Sequence, residues 1–343
     1  MRFRSPGDDN ARPKRVLVTT QLSQETIERI RSALEPRCEV LYAPKHPGWS
    51  YSELAPQLVD VDAVIAGGDT YDDRSLKSAT RLRIIARLGA GYDLIDVAAA
   101  SRRGIFVTTT PGANADAVAD LTIGLIIALV RSIPSNDRRM KLGLWSPRTG
   151  RDLSELHLGL VGLGAIGSRV ARRAKAFGME IVGFDPNVSE EVIREVGADP
   201  AQLAEVLQRS SVVSLHLPLT TQTRGMVDHE FLRAMRPGSY LVNTARGGLI
   251  NESALIENLE SGHIAGAALD VFSSEPPLGS SQELSRHPGV IASPHVAADT
   301  QSAVERSVAM ALESVNEAIE GRVPSRAVNR DLVVLTQEPG TPG

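Results

Sequence analysis

Three side chains in the second half of the chain are of the kinds that hold anions and move protons. Arg246 follows Val242-Asn243-Thr244-Ala245, Glu275 follows Leu269-Asp270-Val271-Phe272, and His295 follows Ile291-Ala292-Ser293-Pro294. An arginine fork grips a carboxylate at two points. An imidazole exchanges a proton near neutral pH, and a carboxylate beside it orients the ring and favours its charged form. Singly, each has a plainer reading: a surface ion-pair partner, a solvated carboxylate at a helix start, a turn histidine.

What joins them is a glycine turn upstream. Gly162-Leu163-Gly164-Ala165-Ile166-Gly167 matches G-x-G-x-x-G, with a strand candidate, Leu158–Val161, before it. Ile166, Val170, Ala174 and Phe177 follow at helical spacing. Gly162 permits the tight turn, Gly164 lets backbone approach a pyrophosphate, and Gly167 lets helix pack close to strand. The phosphates would meet the free N–H groups around Ala165 and Ile166 and the positive end of the helix dipole. The next strand ends at Asp185, 18 residues beyond Gly167, where a ribose acceptor belongs. A carboxylate there repels a 2′-phosphate, and Pro186, Asn187 and Val188 offer no arginine, so NAD is favoured over NADP. With a nicotinamide to carry hydride, the Arg, Glu and His together supply what reduction of a 2-keto acid requires.

These groups must be positioned by strands and helices, and the periodicity predicts which. Short β-branched runs alternate with amphipathic stretches, the signature of parallel strands joined by helices. Val16–Thr20, Val40–Tyr42, Ala63–Ala66 and Ile84–Ala86 read as strands of a first domain, and Gln24–Leu34 as a helix capped by Ser23. The pattern breaks at Thr110-Pro111-Gly112, and a long helix is predicted over Asn114–Ile133, ending before Pro134. A second alternation begins at His157, with strands at Leu158–Val161, Glu180–Phe184, Val212–Leu215, Tyr240–Asn243, Ala265–Ala268 and Val290–Ile291. All three polar residues stand just past strand ends, where open α/β sheets gather their ligands. A last helix, Gln301–Glu320, is expected to return to the first domain, followed by a Pro- and Gly-containing tail, with Glu338–Gly343 disordered. The expected fold is α/β: two Rossmann-like doubly wound parallel sheets, one domain inserted into a discontinuous other. Residues 1–110 and 298–343 would bind substrate and residues 111–297 would bind NAD.

The sequence also resembles the D-isomer-specific 2-hydroxyacid dehydrogenases over about Ile84 to Ala311. The motifs are Arg87-Leu88-Gly89-Ala90-Gly91, the Gly162–Gly167 turn, Asn243-Thr244-Ala245-Arg246-Gly247-Gly248, Ala268-Leu269-Asp270-Val271-Phe272 with Glu275-Pro276-Pro277, and Ser293-Pro294-His295. The resemblance implies that Arg246, Glu275 and His295 are catalytic. It implies that Asp270, Thr244, Ala245, Ala297 and Ala298 lie by the nicotinamide, that Arg246 and His295 also contact the cofactor, and that His216, Leu217 and Pro218 border the adenosine. The backbone of Leu88, Gly89, Ala90 and Gly91 would receive the substrate carboxylate with Arg246. Asp120 stands where glutamate is common in relatives, and Ala297-Ala298-Asp299 replaces a glycine-rich stretch. The family scaffold also serves NAD-responsive binding proteins such as the C-terminal-binding-protein corepressors, which is the alternative reading.

Composition narrows the field further. The 343 residues suffice for about two domains at roughly 150 each. Net charge −4 and 4% aromatic residues argue against a nucleic-acid partner. One cysteine, Cys38, makes neither an internal disulfide nor a zinc cage, so a reducing, cytoplasmic setting and no metal are expected. Met1–Arg15 reads as a frayed leader. The most apolar window, Leu121–Val130, is far short of the about 18 residues that cross a bilayer, so no membrane partner is expected. Arg81, Arg83 and Arg87 are candidates for a phosphate, although a phosphorylated substrate is not the expectation. The segment around Trp145 would form a dimer arm in relatives and the Ile123–Val130 stripe suits subunit burial, so a homodimer is expected.

Overall fold

The computed structural model describes residues 12–45 and 48–337. Two compact units are built, one from residues 1–114 and 301–343, the other from residues 115–300.

The first unit begins with β1 (Lys14–Val18), α1 (Gln24–Leu34), β2 (Cys38–Tyr42), α2 (Tyr51–Gln57), β3 (Ala63–Ala66), β4 (Ile84–Arg87), α3 (Val97–Arg102) and β5 (Phe106–Thr108). The strands run parallel in the order β2-β1-β3-β4-β5. Every residue of β3 is fully buried, as expected of a strand covered on both faces. α1 forms where its caps and stripe predict: Ser23 accepts from the Thr26 N–H, and Ile27, Ile30 and Leu34 are buried. The expected leader needs correcting at its end. Lys14 and Arg15 open β1, and the Arg15 N–H donates to Asp62 Oδ2 at 2.9 Å; Met1–Ala11 lie outside the described residues. Cys38 is buried in the sheet, as a small apolar residue would be.

The second unit holds α4 (Ala115–Val130), α5 (Ile133–Lys141), β6 (His157–Val161), α6 (Ala165–Ala176), β7 (Glu180–Phe184), α7 (Glu190–Glu195), β8 (Asp199–Pro200), α8 (Leu203–Arg209), β9 (Val212–Leu215), α9 (His229–Ala234), β10 (Ser239–Asn243), α10 (Glu252–Glu260), β11 (Ile264–Leu269), α11 (Ser280–Arg286) and β12 (Val290–Ala292). Its seven strands are parallel in the order β12-β11-β10-β9-β6-β7-β8. The long helix predicted to end before Pro134 is two helices. α4 stops at Val130, Ser132 takes φ 52°, and Pro134 lies in the first turn of α5. Proline is suited there because that turn needs no intrahelical N–H. The Ile123–Val130 stripe is also corrected: Ile123, Leu125, Ile126, Leu129 and Val130 are buried in this unit's own core, against α6 and the sheet. Asp120 pairs with Arg173 of α6, Oδ1 to Nε 2.7 Å. Among the described residues no single helix is long and apolar enough to cross a membrane; α4 and α5 pass such a test only as a pair bent by 61°.

The chain then returns to the first unit. α12 (Gln301–Ile319) buries Val308, Ala311, Val315 and Ala318 against β3 and β4. The Pro- and Gly-containing tail carries a further helix. Asn329, 2% exposed, accepts from the Val107 N–H at 2.9 Å and donates to Ile105 O and Ser101 Oγ, both at 2.9 Å. That clip precedes α13 (Arg330–Gln337), which packs on α3. Glu338–Gly343 lie outside the described residues.

Candidate active site

The glycine turn joins β6 to α6. Gly162 has φ 101°, and a Cβ on it would lie 2.6 Å from His216 O; one on Gly167 would lie 2.1 Å from Gly162 O. These two glycines are demanded by the fold itself. Gly164 is different: a Cβ there would meet nothing within 4 Å. It leaves open space before the N-terminus of a 12-residue helix, whose first N–H groups, those of Ala165 and Ile166 among them, have no intrahelical acceptor. The arrangement fits a dinucleotide pyrophosphate. Asp185, just past β7, accepts from Leu163 N at 2.8 Å and Asn187 N at 2.9 Å, so its carboxylate is held beside the turn. His216, just past β9, places Nε2 2.9 Å from Ser214 Oγ, and burial pushes its imidazole down to about 4. Leu217 is half-buried and Pro218 exposed after it.

Arg246, Glu275 and His295 follow three adjacent strand ends, β10, β11 and β12, and the Arg246 charge acts on Glu275. Nδ1 of His295 lies 2.7 Å from Glu275 Oε2. The other carboxylate oxygen, Oε1, accepts from Phe272 N at 3.0 Å. Burial pushes the Glu275 carboxyl up, but the bond and charge of His295, the Phe272 N–H and the Arg246 charge outweigh it and hold it below the usual glutamate range. The side chains of His295 and Glu275 remain 44% and 31% exposed, within reach of a small molecule.

Buried groups fix the backbone carrying each member of the trio. Fully buried Asn243 donates through Nδ2 to Arg246 O and accepts at Oδ1 from Ala245 N, both at 2.9 Å. The neighbouring Thr244 hydroxyl lies 2.9 Å from Thr122 Oγ1, whose own proton goes to Val118 O, so Thr244 is the donor. Gly247 is required where the Arg246 turn meets the next strand end, since a Cβ there would sit 1.9 Å from Phe272 C. Asp270, 0% exposed, accepts from Ser293 Oγ (2.6 Å), Val296 N (3.0 Å) and Ala297 N (2.9 Å), and its carbonyl accepts from His295 N (2.8 Å). That net brackets His295, whose φ of 54° is unusual for a residue with a side chain. Ala297 is buried and Ala298 half-buried beyond it.

Leu88–Gly91 lie in the other unit, after β4. The Leu88 N–H donates to Ala66 O and the Gly89 N–H to Thr110 Oγ1. Among the described residues the Ala90 and Gly91 amides have no such partner, so the two of them, rather than all four, are available to a ligand. Asn243 and Glu252 escaped the sequence reading. The first was visible only as a polar residue at a strand end, the second only as an acid in a helix's first turn.

A profile of the D-isomer specific 2-hydroxyacid dehydrogenase NAD binding domain matches residues 123–297. The glyoxylate reductase of Thermococcus litoralis is 36% identical over 338 residues, covering 96% of this chain and 99% of that one. The D-3-phosphoglycerate dehydrogenase of Methanocaldococcus jannaschii is 37% identical over 319 residues, 92% of this chain but 59% of that protein's length. Among solved structures, D-lactate dehydrogenase from Aquifex aeolicus complexed with NAD and lactic acid superposes with TM-score 0.79 at 29% identity, covering 89% of this chain and 96% of that one. A glyoxylate reductase from Paecilomyes thermophila gives 0.81 at 30%, covering 93% and 99%.

Proposed function

The chain belongs to the D-isomer-specific 2-hydroxyacid dehydrogenase family, whose cofactor is NAD, and from that premise we propose that it interconverts a small D-2-hydroxy acid and the corresponding 2-keto acid. The observation that carries this reading is the 2.7 Å contact between His295 and Glu275. With Nδ1 held by the carboxylate, Nε2 is the nitrogen left to exchange a proton with substrate oxygen.

When bound, NAD(H) supplies or accepts the hydride. Residues 115–300 would hold it, with Gly162, Gly164 and Gly167 shaping the turn and Asp185 accepting from the adenosine ribose; His216, Leu217 and Pro218 would border the adenosine, and Thr244, Ala245, Asp270, Ala297 and Ala298 the nicotinamide. In the reductive direction His295 gives its Nε2 proton to the forming alkoxide, while Glu275 stabilises the positive ring. Arg246 grips the substrate carboxylate and so orients the keto carbon. A protein that only senses the dinucleotide needs none of this proton machinery, which favours the enzyme over the binding-protein reading.

Short unphosphorylated acids such as glyoxylate and hydroxypyruvate suit the site best. Arg81 meets buried Asp62 at 3.3 Å and Arg87 meets Leu88 O, which engages both away from a substrate phosphate. The exposed apolar residues of the α5 region, Met140, Leu142 and Trp145, support a homodimer, and the lone buried cysteine suits the cytoplasm. Loss of NADH absorbance across a panel of 2-keto acids, repeated with NADPH, tests the proposal. Turnover with a short 2-keto acid and NADH is expected. Failure with every acid overturns the activity, and a preference for NADPH overturns the role of Asp185.

A further inference from the structure

Glu275 stands on the loop between β11 and α11, and a loop is a poor platform for a group that must hold an imidazole at 2.7 Å. The loop is clamped by one buried side chain. Glu252, 6% exposed in the first turn of α10, accepts at Oε1 from Ser273 N (2.8 Å) and Ser281 Oγ (2.9 Å). Its Oε2 accepts from Ser280 Oγ at 2.8 Å and lies 2.8 Å from Ser281 Oγ, whose single proton the two carboxylate oxygens share. Ser281 Oγ in turn accepts from Ser274 N at 3.1 Å. One carboxylate thus closes the loop, binding Ser273 just before Glu275 and Ser280 and Ser281 just after it. Hydrogen bonds to a carboxylate are stronger than neutral ones, and bonds from both oxygens leave little freedom of rotation. α10 is anchored independently, by Asn251 capping Ala254 N and by buried Leu255 and Leu259, so the clamp is fastened to rigid structure.

We propose that Glu252 is a positioning residue for the acid–base pair, acting through the Ser273–Ser281 loop to hold Glu275 against His295. This rests on the dehydrogenase reading, but the geometry it asserts exists with or without turnover. The glutamate's hydrogen bonds go to Ser273, Ser280 and Ser281, and its effect is on kcat through orientation of the pair.

The test compares Glu252→Ala, Glu252→Gln, Glu275→Gln and the double variant Glu252→Ala/Glu275→Gln. Glu252→Ala is expected to lower kcat about 10- to 100-fold, the usual effect of a misplaced catalytic group, with NADH affinity by fluorescence unchanged. Glu252→Gln, which keeps the shape and one acceptor oxygen, should restore most of the rate. The double variant should be no slower than Glu275→Gln alone, because Glu252 acts only through Glu275. A multiplicative loss in the double variant, or an alanine variant with normal kcat, overturns the proposal. Imidazole nitrogen shifts of His295 in protein labelled with 15N-histidine give a readout free of turnover. In Glu252→Ala they should move toward those of Glu275→Gln, and identity with wild type overturns the clamp even if no 2-keto acid is reduced. If Glu252→Ala does not fold, Ser280→Ala/Ser281→Ala removes the hydroxyl donors and must reproduce the same pattern.

Discussion

His295 adopts φ 54°, a backbone region that costs a non-glycine residue of order 1–3 kcal/mol unless its surroundings over-determine it. The donors converging on Asp270 from both sides of the histidine do so, and they aim the ring at Glu275. At this scale the first prediction is that His295→Ala lowers kcat by about 10²–10⁴, the worth of a positioned acid–base group, with NADH binding retained; near-normal steady-state turnover would remove it from the mechanism. A second concerns pH. His216 titrates at about 4 when folded and at 6.5 when free. Below 6.5 the unfolded chain takes up a proton that the folded one refuses, so stability present above 6.5 falls as the pH drops toward about 4, by no more than about 3 kcal/mol. For Glu275 the native carboxyl is the more acidic, so its contribution persists above the usual glutamate range and is lost as pH falls through the lowered value. Urea unfolding of wild type and His216→Gln between pH 7 and 4, a range set by those two values, should show a shallower decline in the variant; parallel curves would contradict the burial effect.

Between strand and helix, the three glycines of one motif have different tasks. Gly162 and Gly167 are set by backbone a few ångströms away, whereas Gly164 faces open space. Gly167→Ala should destabilise the protein by about 1–3 kcal/mol through overpacking. Gly164→Val should fold with an unchanged Tm and lose at least about 10-fold in NADH affinity, because its side chain fills the approach to the α6 N-terminus. Equal binding by Gly164→Val and wild type in a fluorescence titration would count against the cradle. The elements carrying these residues were legible because β6, α6 and β7 each have an uninterrupted pattern bounded by glycine or proline. The α4–α5 break was not. Its signal, Pro134, suits a helix's first turn as well as the residue after its end, and only the packing of Val130 and the conformation of Ser132 distinguish the two.

For the whole molecule, the interrupted first unit makes its stability depend on residues far along the chain. Val315 of α12, 0% exposed, packs in the same core as Val16 and Ile65. Val315→Asp should therefore unfold that unit, seen as a lost or lowered first transition in calorimetry, since it buries an unpaired charge. The α5 region points outward instead: α5 has no buried residue, and Trp145 is 85% exposed. If this arm is a subunit contact, Trp145→Glu should shift sedimentation from dimer to monomer; a monomeric wild type would refute the homodimer.

Fold class, the glycine turn and the strand-end positions of Arg246, Glu275 and His295 followed from the sequence, because periodicity and strand-end position are local properties that a single chain segment carries. Tertiary structure alone decided what holds those groups still. Glu252 and Asp270 act on residues more than twenty positions downstream, brought near only by the packing of successive strand–helix units. A buried carboxylate and a solvated one are spelled with the same letter, and only the packed core tells them apart.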